Sequence, residues 1–228
     1  MFGLDQHLAG LSDGTSLLVV VAVACLLGLR HATDPDHLAA VTTLVAGTRE
    51  RGSILAGRLG LAWGGGHAAA LFAFGLPIVL FKAYLPVGVE RGAETAVGLV
   101  VVALAVWLLV RWRRGVFHNH LHATAVRVRS PLQAFAIGLL HGVGGSAGIG
   151  VLLLASIHNR AVAVAALGLF ALCTALSMAV LSTSFGLTLS SDPVRRSFHR
   201  VAPVLGTASL AFGAWYALGA LSMAPYAF

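Results

Sequence analysis

Charge is what this chain has least of. Only 10% of its 228 residues are charged, against about 25% in a soluble domain. With 58% of residues hydrophobic, the composition excludes a separate soluble domain and implies an integral membrane protein throughout. Acids are scarcer than bases, 8 against 15, for a net charge of +7. The arginines fall in short stretches between apolar runs, so membrane topology explains them better than a nucleic-acid partner. Cysteine is almost absent, with 2 residues. Cys25 and Cys173 lie in apolar segments and read as small buried hydrophobes rather than a disulfide or soft metal ligands. No Gly-x4-Gly-Lys-Ser/Thr phosphate loop is present, so nothing in this chain hydrolyses ATP. Met1 to Gly14 has no basic n-region and does not read as a cleaved signal peptide.

What is abundant is long apolar runs. A spanning helix needs roughly 20 mostly apolar residues, and six stretches qualify: 16–47, 53–81, 93–110, 131–157, 161–189 and 201–222. The first is too long for one straight helix and is interrupted by Asp34-Pro35-Asp36. Pro35 cannot donate to the carbonyl of His31, which is thereby released as a further acceptor, so the helix should break there. The fourth carries Gly142, Gly144, Gly145, Gly148 and Gly150 and should be irregular too. Irregular backbone at membrane depth survives only against protein or a wet cavity, so both segments should line the interior. Eleven basic residues (Arg49, Arg51, Arg58, Arg111, Arg113, Arg114, Arg127, Arg129, Arg195, Arg196, Arg200) fall on one side, and Lys82, Arg91 and Arg160 on the other. The positive-inside rule puts both termini outside the cytoplasm.

The halves repeat weakly. Gly28-Leu29-Arg30-His31 matches Gly138-Leu139-Leu140-His141, followed by Val41 and Leu44 matching Val151 and Leu154. Phe74-Gly75-Leu76 matches Phe185-Gly186-Leu187. Gly98, Ala103 and Trp107 match Gly206, Ala211 and Trp215. Three crossings per half invert the second half, the arrangement of many transporters with a site near the midplane. The fold expected is an all-α integral membrane protein. Its six transmembrane helices form two inverted three-helix repeats with broken first and fourth segments. One domain, 1–228, contains halves at about 16–110 and 131–222, joined by a His/Arg-rich cytoplasmic loop at 111–130.

The chemistry concentrates in Arg30-His31-Ala32-Thr33-Asp34-Pro35-Asp36-His37. Each ionisable side chain at the centre of a bilayer costs a few kcal/mol or more. Five in eight residues must neutralise one another or hold something charged. Two imidazoles and a carboxylate suit a divalent first-row metal. Arg30 and Asp34, four apart, can pair, which leaves Asp36 as the free carboxylate. His31, Asp36 and His37 are the favoured ligands, with Arg30 and Asp34 in support. A polar cluster that merely pins helices is the alternative. His67, after Trp63-Gly64-Gly65-Gly66, is a candidate fourth ligand, and His141 a weaker one. Each is also readable as an interhelical hydrogen-bonding histidine. His118, His120 and His122 alternate in a basic loop and form a candidate metal-collecting tract. His158 and His199 read as interfacial.

His31-Ala-Thr-Asp-Pro-Asp36-His37 resembles the His-x4-Asp-His signature of the nickel/cobalt transporter family. Gly66-His67 is similar to that family's second histidine motif. Gly138-Leu-Leu-His-Gly-Val-Gly-Gly-Ser-Ala147 and the histidine-bearing loop resemble its shorter, urease-accessory UreH-like branch. The resemblance covers most of the chain. It implies Ni²⁺ or Co²⁺ as transported substrate, with no catalytic cofactor, in a prokaryotic plasma membrane and for urease, hydrogenase or cobalamin pathways. The expected function is a secondary permease, not an enzyme, taking up divalent transition metals. Two other readings stand beside it: an exporter of the same metals, and a membrane metalloenzyme with clustered histidines. Nitrogen and carboxylate ligands do not separate Ni²⁺, Co²⁺ and Zn²⁺.

Overall fold

A computed structural model describes residues 17–45, 52–81, 86–115, 130–144 and 147–223. The described secondary structure is entirely helical: α1 (Leu17–His31), α2 (Pro35–Val45), α3 (Gly52–Phe81), α4 (Val87–Arg113), α5 (Pro131–Val143), α6 (Ala147–Ala155), α7 (Arg160–Ser190) and α8 (Asp192–Ala220). Among the described residues, α3, α4, α7 and α8 contain 4 stretches long and apolar enough to cross a membrane. The pair α1 and α2 passes the same test as one span bent by 51°. Large apolar side chains point outwards, among them Leu18 (79% exposed), Leu132 (76%) and Ile54 (75%). On a water-soluble protein this would be a liability. In a bilayer it is the surface that lipid covers.

Helix ends follow the local sequence. Ser130 and Gln133 form a reciprocal capping box at the start of α5, which satisfies two otherwise orphaned backbone donors. Asn159 caps α7 by accepting from the backbone N–H of Val162 at 3.1 Å. Gly115, at φ 68°, supplies the left-handed residue that ends α4. Only Ser191 separates α7 from α8, because Pro193 starts a new helix as readily as it ends an old one. Arg195, Arg196 and Arg200 therefore sit in the opening turns of α8 and not in a loop, and the expected segment 201–222 begins earlier, at Asp192. The third segment is likewise longer than the apolar run 93–110, from Val87 to Arg113.

The first segment does break, over Ala32 to Asp34, immediately before Pro35. The last turn of α1 tightens, with Thr33 N–H donating to Arg30 C=O at 2.9 Å and Asp34 N–H to His31 C=O at 3.1 Å. The His31 carbonyl released by Pro35 is thus reclaimed by Asp34 rather than left as an acceptor for an ion. Pro35 opens α2, where its fixed φ and missing N–H carry no penalty, and Leu38 N–H donates to Asp34 C=O at 3.0 Å. The fourth segment is likewise two helices, α5 and α6, on either side of 144–146.

Helix α7 packs against α1 and α3, α3 against α5, and α4 against α8. Close approaches recur in matched pairs. Gly28 of α1 lies on the backbone of Phe170 and Thr174, while Gly138 of α5 lies on that of Trp63 and His67. Gly98 meets Ala217, and Gly206 meets Leu109. Gly60 meets Ser182, and Gly75 meets Leu167. In each pair, stepping from the first half to the second converts one contact into the other. Glycine permits these approaches because a Cβ would run into neighbouring backbone at Gly28, Gly98 and Gly138 and into side chains at Gly60, Gly75 and Gly206. The interval between Gly60 and Leu167, equal to that between Gly75 and Ser182, is one helical turn shorter than the Phe-Gly-Leu match requires. The contacts of Gly28 and Gly138, and of Gly98 and Gly206, follow the spacing of their sequence matches, whereas those of Gly60 and Gly75 differ from the Phe-Gly-Leu spacing by one turn.

Candidate metal centre

The break between α1 and α2 places three charged or titratable side chains where straight helix would scatter them. His31 closes α1, and Asp36 and His37 stand in the first turn of α2. His67 comes from the middle of α3, and His141 from the last turn of α5. All five are buried: His31 2%, Asp36 3%, His37 1%, His67 0% and His141 1% exposed. The helix ends suit them. A carboxylate in the first turn of α2 faces the positive end of the helix dipole, and the C-terminal ends of α1 and α5 turn their negative ends towards a cation.

His31 Nε2 and His67 Nε2 are 3.1 Å apart. Two nitrogens binding one ion at about 2.1 Å each lie about 3.0 Å apart at a right angle and about 3.4 Å apart in a tetrahedron. The separation therefore fits two ligands of a single ion. His31 Nδ1 donates to Asp34 Oδ2 at 3.1 Å, which leaves its Nε2 as the ring's lone-pair nitrogen in the neutral form. His37 Nδ1 donates to Asp36 Oδ1 at 3.1 Å, which frees His37 Nε2 in the same way. That atom is buried and has no hydrogen-bond partner among the described residues. A carboxylate behind each imidazole is the usual outer support of a metal-binding histidine. Asp36 Oδ2 also accepts from His141 Nε2 at 3.2 Å. The Nδ1 atoms of His67 and His141 are buried without a partner as well. Native proteins seldom leave such atoms unsatisfied without a ligand or water nearby.

Ligand atoms of His31, His37 and His67 lie within 4.8 Å of one another, as do those of Asp36, His37 and His141. His37 belongs to both triples. Its ring centroid is 4.6 Å from those of His31 and His141 and 5.0 Å from that of His67. Arg30 reaches Asp34 Oδ1 at 3.6 Å while its own side chain is 70% exposed. The guanidinium therefore stays at the edge and does not place a positive charge inside. Asp34 is occupied by Arg30 and His31, and Asp36 by His37 and His141.

Two residues beside the site escaped the sequence reading. Trp63 stacks near His37 and His141, with ring centroids 5.7 and 5.8 Å away. Phe170 stands 5.8 Å from the ring of His31. Both are 1% exposed. The signal for Trp63 was its place one turn before His67; Phe170 carried none in an apolar run. Cys25 and Cys173 are free thiols, half-buried rather than fully buried, with their sulfurs 3.2 Å apart. His118, His120 and His122 lie outside the described residues. His158 precedes α7 and His199 accepts, through its backbone carbonyl, from Trp112 Nε1 at 2.8 Å.

Across its length the chain is similar to urease accessory protein UreH of Bacillus sp. (strain TB-90), at 27% identity over 218 residues, covering 90% of this chain and 92% of the relative. No family model matches. No solved structure matches either. The likeness to a urease accessory UreH protein thus rests on whole-chain similarity as well as on the motifs.

Proposed function

We propose that this chain, a UreH-like relative of the nickel/cobalt transporters, is a secondary permease that brings Ni²⁺ or Co²⁺ into the cell. The ion is held by the ring nitrogens of His31, His37 and His67, with Asp36 as the neighbouring carboxylate. Asp34 orients His31, and His141 braces Asp36 from the second half. The observation that carries the proposal is the convergence of His31 Nε2 and His67 Nε2 to 3.1 Å, beside the unpartnered Nε2 of His37, where a helix breaks. Two facing imidazole nitrogens are tolerable either as one weak hydrogen bond or as two lone pairs sharing a cation. Polar backbone and buried titratable groups at such a depth are characteristic of ion paths.

The matched glycine contacts support reading the whole as six crossings in two inverted repeats. On that reading α1 with α2 forms the first crossing and α5 with α6 the fourth. Both termini face away from the cytoplasm, and 111–130 is a cytoplasmic loop whose histidines collect the ion. The relative's name links it to urease, and nickel delivery to a urease is the corresponding role for this chain. Uptake of labelled Ni²⁺ by cells producing the protein, with His37→Ala as control, tests the proposal. Accumulation above the control supports import; metal content below that of cells lacking the protein indicates export; no difference removes the transport reading.

A further inference from the structure

The metal site is walled by two separate apolar clusters, and each contributes one aromatic ring to it. The first cluster contains Val20, Ala24, Leu71, Ile78, Val151, Leu154 and Phe170. The second contains Ala32, Val41, Ala56, Leu59, Ala134, Met178 and Trp63. No residue of one belongs to the other.

The clusters lie at opposite ends of the site. Helices α3 and α7 run antiparallel: Gly60 meets Ser182, Gly64 meets Ala175, and Gly75 meets Leu167. Phe72 approaches Gly168, so Phe170 is level with a position close to Leu71 of α3. That is about two turns, roughly 12 Å at 1.5 Å per residue, from Trp63. His67 lies between the two levels. Trp63 touches His37 and His141 from one end, and Phe170 touches His31 from the other. The two contacts are counterparts: His31 and His141 each end a Gly-Leu-x-His run, and the glycines of those runs, Gly28 and Gly138, lie on the backbone of Phe170 and Trp63. An ion leaving the site by either end would meet that end's buried ring, and neither ring offers it a lone pair. The buried indole Nε1 of Trp63, which has no hydrogen-bond partner among the described residues, gives that ring a reason to move when water enters.

We propose that Trp63 and Phe170 are the two gates of the site, Trp63 closing it towards the cytoplasm and Phe170 towards the outside, and that transport opens them one at a time. The proposal rests on the permease reading, and its sidedness on the proposed orientation. It is tested with right-side-out and inside-out membrane vesicles of cells producing the protein. They are loaded with bound radioactive Ni²⁺ and then exposed to EDTA, which does not cross the bilayer. Trp63→Ala should speed stripping about tenfold or more from the cytoplasmic face alone, and Phe170→Ala from the outer face alone. Equilibrium Ni²⁺ affinity should stay within about threefold of the unaltered protein, since no ligand is lost. Trp63→Phe should strip at the original rate. Where the alanine variant does not accumulate in membranes, Trp63→Val makes a smaller truncation and carries the same expectation. One-sided effects on exchanged faces support the gates and reverse the orientation. Equal acceleration from both faces, unchanged rates, or loss of Ni²⁺ affinity in either variant overturns the gates. Absence of saturable Ni²⁺ binding by the unaltered protein removes the metal-site reading, and the gates with it.

Discussion

The two halves of this molecule share a packing plan and differ in chemistry. Each begins with a broken segment whose Gly-Leu-x-His sequence lays a glycine on the backbone of a long helix from the other half. At sequence positions that correspond in the two halves, the first has Asp34, Asp36 and His37 where the second has Gly144, Ser146 and Ala147. His31 faces an imidazole, that of His67, while its counterpart His141 faces a carboxylate, that of Asp36. On the proposed function this difference divides the work: the first half supplies most of the groups that would hold the ion, and the second supplies His141 to brace Asp36.

The strongest way to break this comparison is to remove ligands from the first half. His31→Ala, Asp36→Ala and His37→Ala should each reduce metal uptake to background, with the protein still present and folded in the membrane. Buried polar groups this numerous have little structural reason to exist. Wild-type-like uptake by any two of the three variants contradicts the assignment.

Removing His141 sharpens the comparison. If it only braces Asp36, His141→Ala should weaken metal affinity by about 10- to 100-fold, the usual cost of losing an outer support, and His141→Gln should recover part of it. Abolished binding in both variants would make His141 a ligand in its own right.

Packing should respond alike in the two halves. A Cβ at Gly28 would lie 2.7 Å from the Phe170 carbonyl oxygen, and a Cβ at Gly138 would collide with that of Trp63. Backbone cannot yield as a side-chain tip can. Gly28→Ala and Gly138→Ala should each destabilise the fold by about 1–3 kcal/mol, read as a lower unfolding temperature in detergent. Destabilisation in one half only would argue against the shared packing plan.

The smallest effect belongs to the loop between the halves. Replacing His118, His120 and His122 should lower uptake a few-fold at scarce metal and leave it unchanged at saturating metal, because an exposed tract concentrates ions without holding them. Complete loss at every concentration would place the loop on the essential path.

How much of this was legible in the sequence follows the physics of each feature. Membrane class and helical content were plain, because apolar length and scarcity of charge are summed over many residues. The break at Pro35 was plain because a missing N–H is a local fact; its onset at Ala32 depended on how Asp34 reclaims the His31 carbonyl. Pairing of Arg30 with Asp34 followed from spacing on one helix. Contacts between distant segments were less legible. His67 and His141 stood out as histidines in apolar runs, but only packing shows that one meets His31 and the other Asp36. Phe74-Gly75-Leu76 and Phe185-Gly186-Leu187 match one turn away from the spacing of the glycine contacts, since an apolar helix sliding by one turn keeps its composition. Phe170 had no mark at all, because its importance lies in what stands beside it.

The most direct test of the central claim is X-ray absorption spectroscopy of Ni²⁺ bound to the purified protein. The spectrum should show about three imidazole nitrogens with additional oxygen and no sulfur, and one fewer imidazole in His31→Ala. Sulfur from Cys25 or Cys173 in the coordination shell, or a spectrum unchanged by His31→Ala and His37→Ala, would contradict the claim.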